Sequence, residues 1–488
     1  MPKPGLKPAA LRLCAPAWAL SLLLGAACGE GALVETGAGV GATATGAGVG
    51  ATATGAGVGA TATGAGVGSS SQGVSPATGL LAQGSGPPIS CQQEGEGPFI
   101  LPLGSHAVVG EPVRFLVVSE GPLGGASLED DSGQELRPTE VIASGPPAAR
   151  LFEGKAPLRP GVARYRLGRA AGPGGPRPAA RAACVEVKVS VRQERDSRLA
   201  PPSGIWDIHE DWHEGWERAF SAWVAWLFRD IPGQPQAWRP LQRLLWNPER
   251  NLLYDSLGLG EDSGRPGQGM PDGSRAAVRV IAWADCGDAP YQLRAYFAWK
   301  HGLPFRYRRC DRGSGLRGPR CPLERDNRYQ AFDQVRDPVA RFNAFLREGL
   351  AWQVHSGTTR TLPEDEASDF FPIRLSRETI RPGTIFVDVG GHVLIVTQWD
   401  AEGLFAVDGH PDFSVTRRRY SEGHFRYFRG TRTGGFKAFR PLRLFGGALV
   451  PLPNKAVSPS YSVEQYRFSS GKDFQEAMAR MLAMHRPG

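Results

Sequence analysis

Cys286, His392 and Asp408 are the side chains whose types and settings allow covalent chemistry. A thiol nucleophile needs a base within hydrogen-bond reach and a third group behind that base to orient it. Cys286 stands in Trp283-Ala284-Asp285-Cys286-Gly287-Asp288-Ala289-Pro290-Tyr291, where a Val- and Ile-bearing run, Ala277–Ala284, is expected to be a strand. Beyond it Leu293, Tyr296, Phe297 and Lys300 recur at three- and four-residue spacing, which predicts a helix. Pro290 then falls in the first turn, where its missing N–H is not needed. The thiol is thereby placed at or just before a helix N-terminus, whose dipole and free N–H groups favour a thiolate.

The base is offered by Thr384-Ile385-Phe386-Val387-Asp388-Val389-Gly390-Gly391-His392-Val393-Leu394-Ile395-Val396, read as strand, Gly-Gly turn and a strand opening on histidine. Strand alternation puts His392 on the face of Leu394 and Val396. The third group belongs to the next strand, where Asp408 and His410 share a face. A regular hairpin around Ala401–Gly403 would bring His410 closer to His392. Asp408 has the better chemistry, because a carboxylate fixes the imidazole tautomer and stabilises the imidazolium. Both remain open.

Seven cysteines sort around this reading. Cys14 and Cys28 lie in an N-terminal segment read below as an export signal. Cys91 with Cys184, and Cys310 with Cys321, are expected as disulfides of an oxidising compartment, although four cysteines allow three pairings. Cys286 is left over as the reactive thiol. The sharpest rival site is His209-Glu210-Asp211-Trp212-His213, an H-E-x-x-H on a predicted helix that would bind zinc through two histidines one turn apart. Its surroundings are charged rather than apolar, through Asp211, Glu214 and Glu217, and Trp216 and Ala219 stand where the extended form of that motif needs Gly and His. The surface of a tryptophan-anchored helix is the better reading, and no metal or cofactor is expected.

The elements that must hold these residues follow in five stretches. Residues 1–28 carry Lys3, Lys7 and Arg12 before a short apolar run, the pattern of a signal peptide. Residues 29–88 contain Gly-Ala-Gly-Val-Gly-Ala-Thr-Ala-Thr three times from Gly37 to Thr63, with nothing large to bury, and read as a tether. Residues 89–197 hold short runs, mostly rich in β-branched residues and punctuated by Gly and Pro, at His106–Val109, Val113–Val118, Thr139–Ala143, Ala163–Leu167 and Ala183–Val191, the pattern of a small β-sandwich. Residues 198–450 begin with a helix carrying Trp206, Trp212, Trp216, Trp223 and Trp226, read as core. Further helices are expected at Trp238–Tyr254 and Val339–His355, with strands at Thr384–Val389, His392–Trp399, Gly403–Asp408 and Phe413–Arg418. A C-terminal extension, 451–488, has one amphipathic helix at Lys472–His485.

Net charge over the 488 residues is +8, which suits anionic polymers, cell wall or lipid headgroups. Nucleic acid is a poor partner for an exported chain whose basic residues are mostly scattered. About 400 residues remain after the signal and tether, enough for two domains with real cores.

The order of these motifs resembles the papain-like cysteine enzymes. Transglutaminase-like domains show a Cys-led helix ending in a Gly-φ-Pro turn, here Gly302-Leu303-Pro304, then a His strand and an Asp after a hairpin. The NlpC-type cell-wall peptidases show Asp-Cys and then Pro-Gly-[Asp/Thr] before a Gly-His-Val strand, here Pro382-Gly383-Thr384 and Gly391-His392-Val393. The resemblance covers residues 277–303 and 381–415. It implies an α+β fold, a papain-like or transglutaminase-like catalytic domain preceded by a small β-sandwich, with Cys286 as nucleophile, His392 as base and Asp408 as orienting acid. It further implies amide hydrolysis or transamidation on a cell-wall peptide or protein substrate. The interval from Cys286 to His392 is longer than usual in that superfamily, and the oxyanion glutamine of papain has no counterpart before Cys286. Leu23-Leu24-Gly25-Ala26-Ala27-Cys28 is similar to the lipidation box of bacterial lipoproteins, with Gly25 where Leu is usual, which implies a lipid anchor on Cys28 at a bacterial membrane. A non-catalytic surface-binding lipoprotein is the alternative function.

Overall fold

Alternating apolar residues build two facing sheets between Phe99 and Ser190. One runs Phe99–Pro102, Pro112–Ser119, Ala148–Lys155, Pro138–Ala143 in spatial order. The other runs Ala107–Val108, Cys184–Ser190, Gly161–Arg169, Ala126–Asp130, Glu135–Leu136. Ile100, Phe115 and Val117 of the first meet Leu128, Tyr165 and Val187 of the second in a shared core. Cys91 is disulfide-bonded to Cys184 beside this core. The structure is a computed structural model describing Cys91 and residues 97–104, 106–143, 147–169, 183–191, 203–265, 278–313, 317–388, 390–400, 403–426 and 432–483. The signal segment, the repeat tether, Cys14 and Cys28 lie outside the described residues.

The other face of the first sheet, with Phe99, Leu101, Leu116, Val118 and Leu151, packs on the helix Glu214–Leu227. Phe99 meets Trp216 edge-on at 4.9 Å. The boundary expected at residue 197 is therefore bridged: the sandwich keeps its own core, while the outer face of its first sheet joins the core beyond, and residues 90–488 form one compact unit. All five tryptophans from Trp206 to Trp226 are buried. Their indole N–H groups are partnered, as burial requires: Trp206 donates to the Leu303 carbonyl at 2.9 Å, Trp212 to Pro304 at 2.7 Å and Trp223 to Asn251 Oδ1 at 3.0 Å.

The helix Asp288–His301 is buried along its whole length up to Lys300. Its charges are accordingly paired. Arg294 lies 3.2 Å over the Trp212 ring and donates to Glu217 Oε2 at 3.0 Å. Lys300 donates to Glu261, to Asp262 Oδ2 at 2.7 Å and to the Leu253 carbonyl at 2.9 Å. Gly302 ends the helix at φ 65°, and the Leu303 N–H returns to the Ala298 carbonyl at 2.9 Å.

Three expectations need correction. The run before Cys286 is extended but is not a strand. Val280 donates to the Glu261 carbonyl, while Ile281 and Ala282 donate to the side chains of Asn343 and Gln242. It threads between loops, so its β-branched residues have no ladder to join. The Trp238–Tyr254 block is helical only over Gln242–Leu245, and the Val339 helix runs Pro338–Ala344 before widening to a π-turn, Phe345–Leu350.

The second large sheet has seven strands in the order Ala237–Trp238, Val415–Tyr420, Gly403–Gly409, Val393–Asp400, Ile385–Val387, Gly435–Phe439, Phe370–Pro372, antiparallel throughout. Ile385, Val387, Val393, Ile395 and Val407 face the core shared with the Cys286 helix. Phe386, Leu394, Val396, Leu404 and Ala406 face the other way, onto Phe474, Met478 and Met481 of the helix Gly471–Ala483. The segment beyond residue 450 is thus the cover of one sheet face, not an appendage. Among the described residues no helix is long and apolar enough to cross a membrane.

Candidate active site

Cys286 sits one residue before the Gly287 cap of its helix and is 7% exposed. It is the free cysteine among the described residues, since Cys310 is bonded to Cys321 as Cys91 is to Cys184. The neighbouring Asp285 carboxylate accepts from Gly287 N at 2.7 Å and Asp288 N at 3.1 Å, so two free helix N–H groups are already capped. Burial, with the Asp285 charge adding to it, raises the Asp288 carboxyl well above its usual range.

His392 stands at the entrance to the strand Val393–Asp400, with Asp388 N donating to its carbonyl at 2.8 Å. Its imidazole lies near Asp408, and Cys286 is close enough to act on its charge. Those two partners, Asp408 first and Cys286 second, raise it to about 10 against the opposing effect of burial. Nε2 lies 3.8 Å from Asp408 Oδ2, ion-pair range rather than a tight hydrogen bond. Asp408 is itself held from three directions. His410 Nε2 is 2.9 Å from Oδ1, and the Tyr420 hydroxyl donates to Oδ2 at 3.0 Å. Burial works to raise Asp408, but His392, His410 and Tyr420 outweigh it and hold the carboxyl below its usual value. Of the two candidates for third member, Asp408 therefore touches the His392 ring, and His410 stands behind it.

Glycines let these parts meet. A Cβ on Gly409 would stand 2.6 Å from the Asp285 carbonyl group and 2.8 Å from Cys286 N, so this strand end backs directly onto the Cys286 loop. A Cβ on Gly287 would stand 2.4 Å from Ser356 N, and one on Gly391 2.7 Å from Arg360 Nη2. Ser356 and Arg360, ends of one short segment, reach the neighbours of both Cys286 and His392. Nothing in their sequence marks them, and sequence reasoning missed them together with Gly409 and Tyr420. Trp283 and Phe413 form an exposed stacked pair beside the site, 50% and 42% exposed with ring centroids 5.9 Å apart.

The H-E-x-x-H stretch is not a zinc helix. The helix begins only at Glu214, and His213 is its N-cap, with Nδ1 accepting from Gly215 N at 3.1 Å. Glu210 accepts from the Trp216 indole, and His209 packs against the Gly302 turn. The three side chains do not converge on one point. A cap needs extended backbone, which removes the one-turn spacing that the motif requires.

No protein-family model and no curated protein matches the chain. Among solved structures, a polysaccharide lyase is similar at 12% identity and a TM-score of 0.14, covering 42% of this chain and 30% of its own length. A likeness that slight carries no argument about fold or function.

Proposed function

We propose that this chain is an exported, lipid-anchored enzyme of the papain-like superfamily that transfers acyl groups through Cys286. The observation that carries this reading is that His392 Nε2 lies 3.8 Å from Asp408 while the strand end after Asp408 backs onto the Cys286 loop, so that Asp408 and Cys286 both raise the His392 ring. In the reaction Cys286 Sγ attacks an amide carbonyl, and the C–N bond breaks as His392 gives its proton to the leaving amine. The resulting thioester is then opened by water, or by a second amine, that passes a proton to His392; the C–S bond breaks and the sulfur is restored. Asp408 holds the imidazole in the required tautomer. Cell-wall peptide and protein amide are the substrate classes in view.

The test is the rate at which iodoacetamide alkylates Cys286 at pH 6. The folded protein should react much faster than the denatured chain, and His392→Ala should remove the difference while circular dichroism is unchanged. Equal rates in folded and denatured protein would return the chain to the class of surface-binding lipoproteins. Anchoring rests on Cys28 and the two disulfides, which fit an oxidising compartment. Cys28→Ser should move the protein from the membrane fraction to the soluble one, and a variant that still sediments with membranes refutes the anchor.

A further inference from the structure

Two aromatic rings lie open to solvent beside the thiol. The extended run before Cys286 alternates in exposure, with Ala282 and Ala284 buried and Trp283 pointing out between them. Three residues of chain span at most about 11 Å, so Trp283 stands within a short peptide's reach of the sulfur. Its backbone is fixed, since the Trp283 carbonyl accepts from Gln292 Nε2 at 2.8 Å and Ala282 N donates to Gln242 Oε1 at 3.0 Å. Phe413 arrives from the other side, four residues beyond the Gly409 that backs onto the Cys286 loop. The two rings face each other with their planes 28° apart.

Phe413 is an unusual residue for its position. Its φ is 66°, in the left-handed region that bulky side chains rarely adopt and that glycine or asparagine enters more readily. A tight turn imposes this conformation. Phe413 N donates to the His410 carbonyl and His410 N to the Ser414 carbonyl, both at 2.8 Å, while Asp412 Oδ1 accepts from Ser414 N at 3.1 Å. The ring gains little from the core, because it stays exposed. Backbone strain of this kind gathers at ligand clamps.

The polar side chains of the same two loops are already engaged. Asp412 also takes the Ser414 hydroxyl at 2.6 Å, His410 Nε2 lies 2.9 Å from Asp408 Oδ1, and Asp285 caps the helix. Ring faces are what the loops leave for recognition. A sugar needs partners for its hydroxyls as well as a ring to stack on, whereas an aromatic side chain needs only the faces.

We infer that Trp283 and Phe413 form a subsite for an aromatic side chain of a polypeptide, next to the amide that Cys286 attacks. This rests on the acyl-transfer reading and narrows its substrate classes to protein amides flanked by phenylalanine, tyrosine or tryptophan.

Iodoacetyl-phenylalanine amide and iodoacetyl-alanine amide test it, because they carry the same reacting carbon and differ only in the side chain beside it. The readout is the ratio of their alkylation rates at Cys286, divided by the same ratio for a free small thiol, so that changes in the sulfur's own reactivity cancel. The parent should give about ten, and Trp283→Ala should bring the value to about one. Phe413→Asn should lower it about three-fold while the urea midpoint holds or rises, because asparagine suits the left-handed turn. A ring with only a structural role would lose stability and leave the ratio alone. The Phe413 variant also serves if Trp283→Ala fails to fold. A parent ratio near that of the free thiol, or one unchanged in a folded variant, overturns the subsite. So does a faster reaction with N-iodoacetylglucosamine than with the phenylalanine probe, which would make the pair a sugar platform. An alanine-probe rate no faster than in the denatured chain overturns the acyl-transfer reading instead.

Discussion

Asp408 stands 3.8 Å from His392 Nε2, and a single bulge in the strand that His392 precedes sets the face from which it does so. From the hairpin, Asp400 pairs with Gly403, Trp399 with Leu404 and Gln398 with Phe405. The register then slips between Gln398 and Val396, so that Val396 pairs with Ala406 and Leu394 with Asp408. Without the extra residue, Asp408 would oppose Ile395 and point into the core of the Cys286 helix. The bulge turns the parity of the strand, and the carboxylate comes to share a face with Leu394, 3.8 Å from Nε2 of the histidine just before the strand.

The titration of His392 reports that arrangement. Its Cε1 proton signal should titrate near 10, and Asp408→Asn should bring the midpoint down more than Cys286→Ser does, in the order of their influence on the ring. A raised histidine contributes its stability in full below the usual value near 6.5 and loses it as pH climbs through about 10. The urea midpoints of the parent and His392→Ala should therefore differ at pH 6 and draw together above pH 10.

Asp408 works in the opposite sense. Its depressed carboxyl contributes stability above the usual aspartate range and loses it as pH falls through the lowered value. Asp408→Asn should flatten the acid limb of the stability profile. His410→Ala, which removes a neighbour of the carboxylate but not of the sulfur, should slow Cys286 alkylation less than His392→Ala does. An equal loss in the two variants would make His410 a direct partner of the thiol.

Gly409→Ala tests the contact between the strand end and the Cys286 loop. The new methyl would meet main-chain atoms of Asp285 and Cys286 that cannot rotate aside. Alkylation of Cys286 should fall, with a stability loss of about 1–3 kcal/mol from overpacking. Unchanged alkylation would show that the loop moves freely.

Lys300 is the single cation donating to Glu261 and Asp262 where all three side chains are fully buried, and burial raises Asp262 to about 7. Lys300→Met keeps the bulk and leaves the buried acid pair without its cation, so denaturant melts at pH 8 should show a loss of about 3–5 kcal/mol. A loss below 1 kcal/mol would mean that the acids are protonated without the lysine.

The cystine Cys310–Cys321 closes a short loop whose Cys310 carbonyl meets the His355 ring. Cys310→Ser with Cys321→Ser should cost about 2–3 kcal/mol through the unfolded state. It should also loosen the His355–Arg360 segment, seen as faster amide exchange at Gly357 and Thr358.

What the sequence by itself determined is local or compositional. A cysteine before a period-3.6 run, a histidine opening an apolar strand and an aspartate on the strand after the hairpin could be read because neighbours along the chain share one element. The sandwich strands rich in β-branched residues, such as Pro112–Ser119 and Cys184–Ser190, were legible for the same reason, and so was the C-terminal helix. Tertiary structure decided the rest. The extended run before Cys286 looked like a strand because Val and Ile mark burial, and burial does not say whether a ladder partner exists. His213 looked like a helical ligand because the pattern cannot show where the first turn closes. The slip between Gln398 and Val396 chose the face of Asp408, and that depends on how two whole strands pack their apolar sides. Ser356 and Arg360 lie far along the chain from both Cys286 and His392. Only the closing of the cystine loop and the buried Lys437, whose ammonium donates to the Thr359 carbonyl at 2.9 Å, carry them to the site, and contacts at that separation leave no periodicity to read.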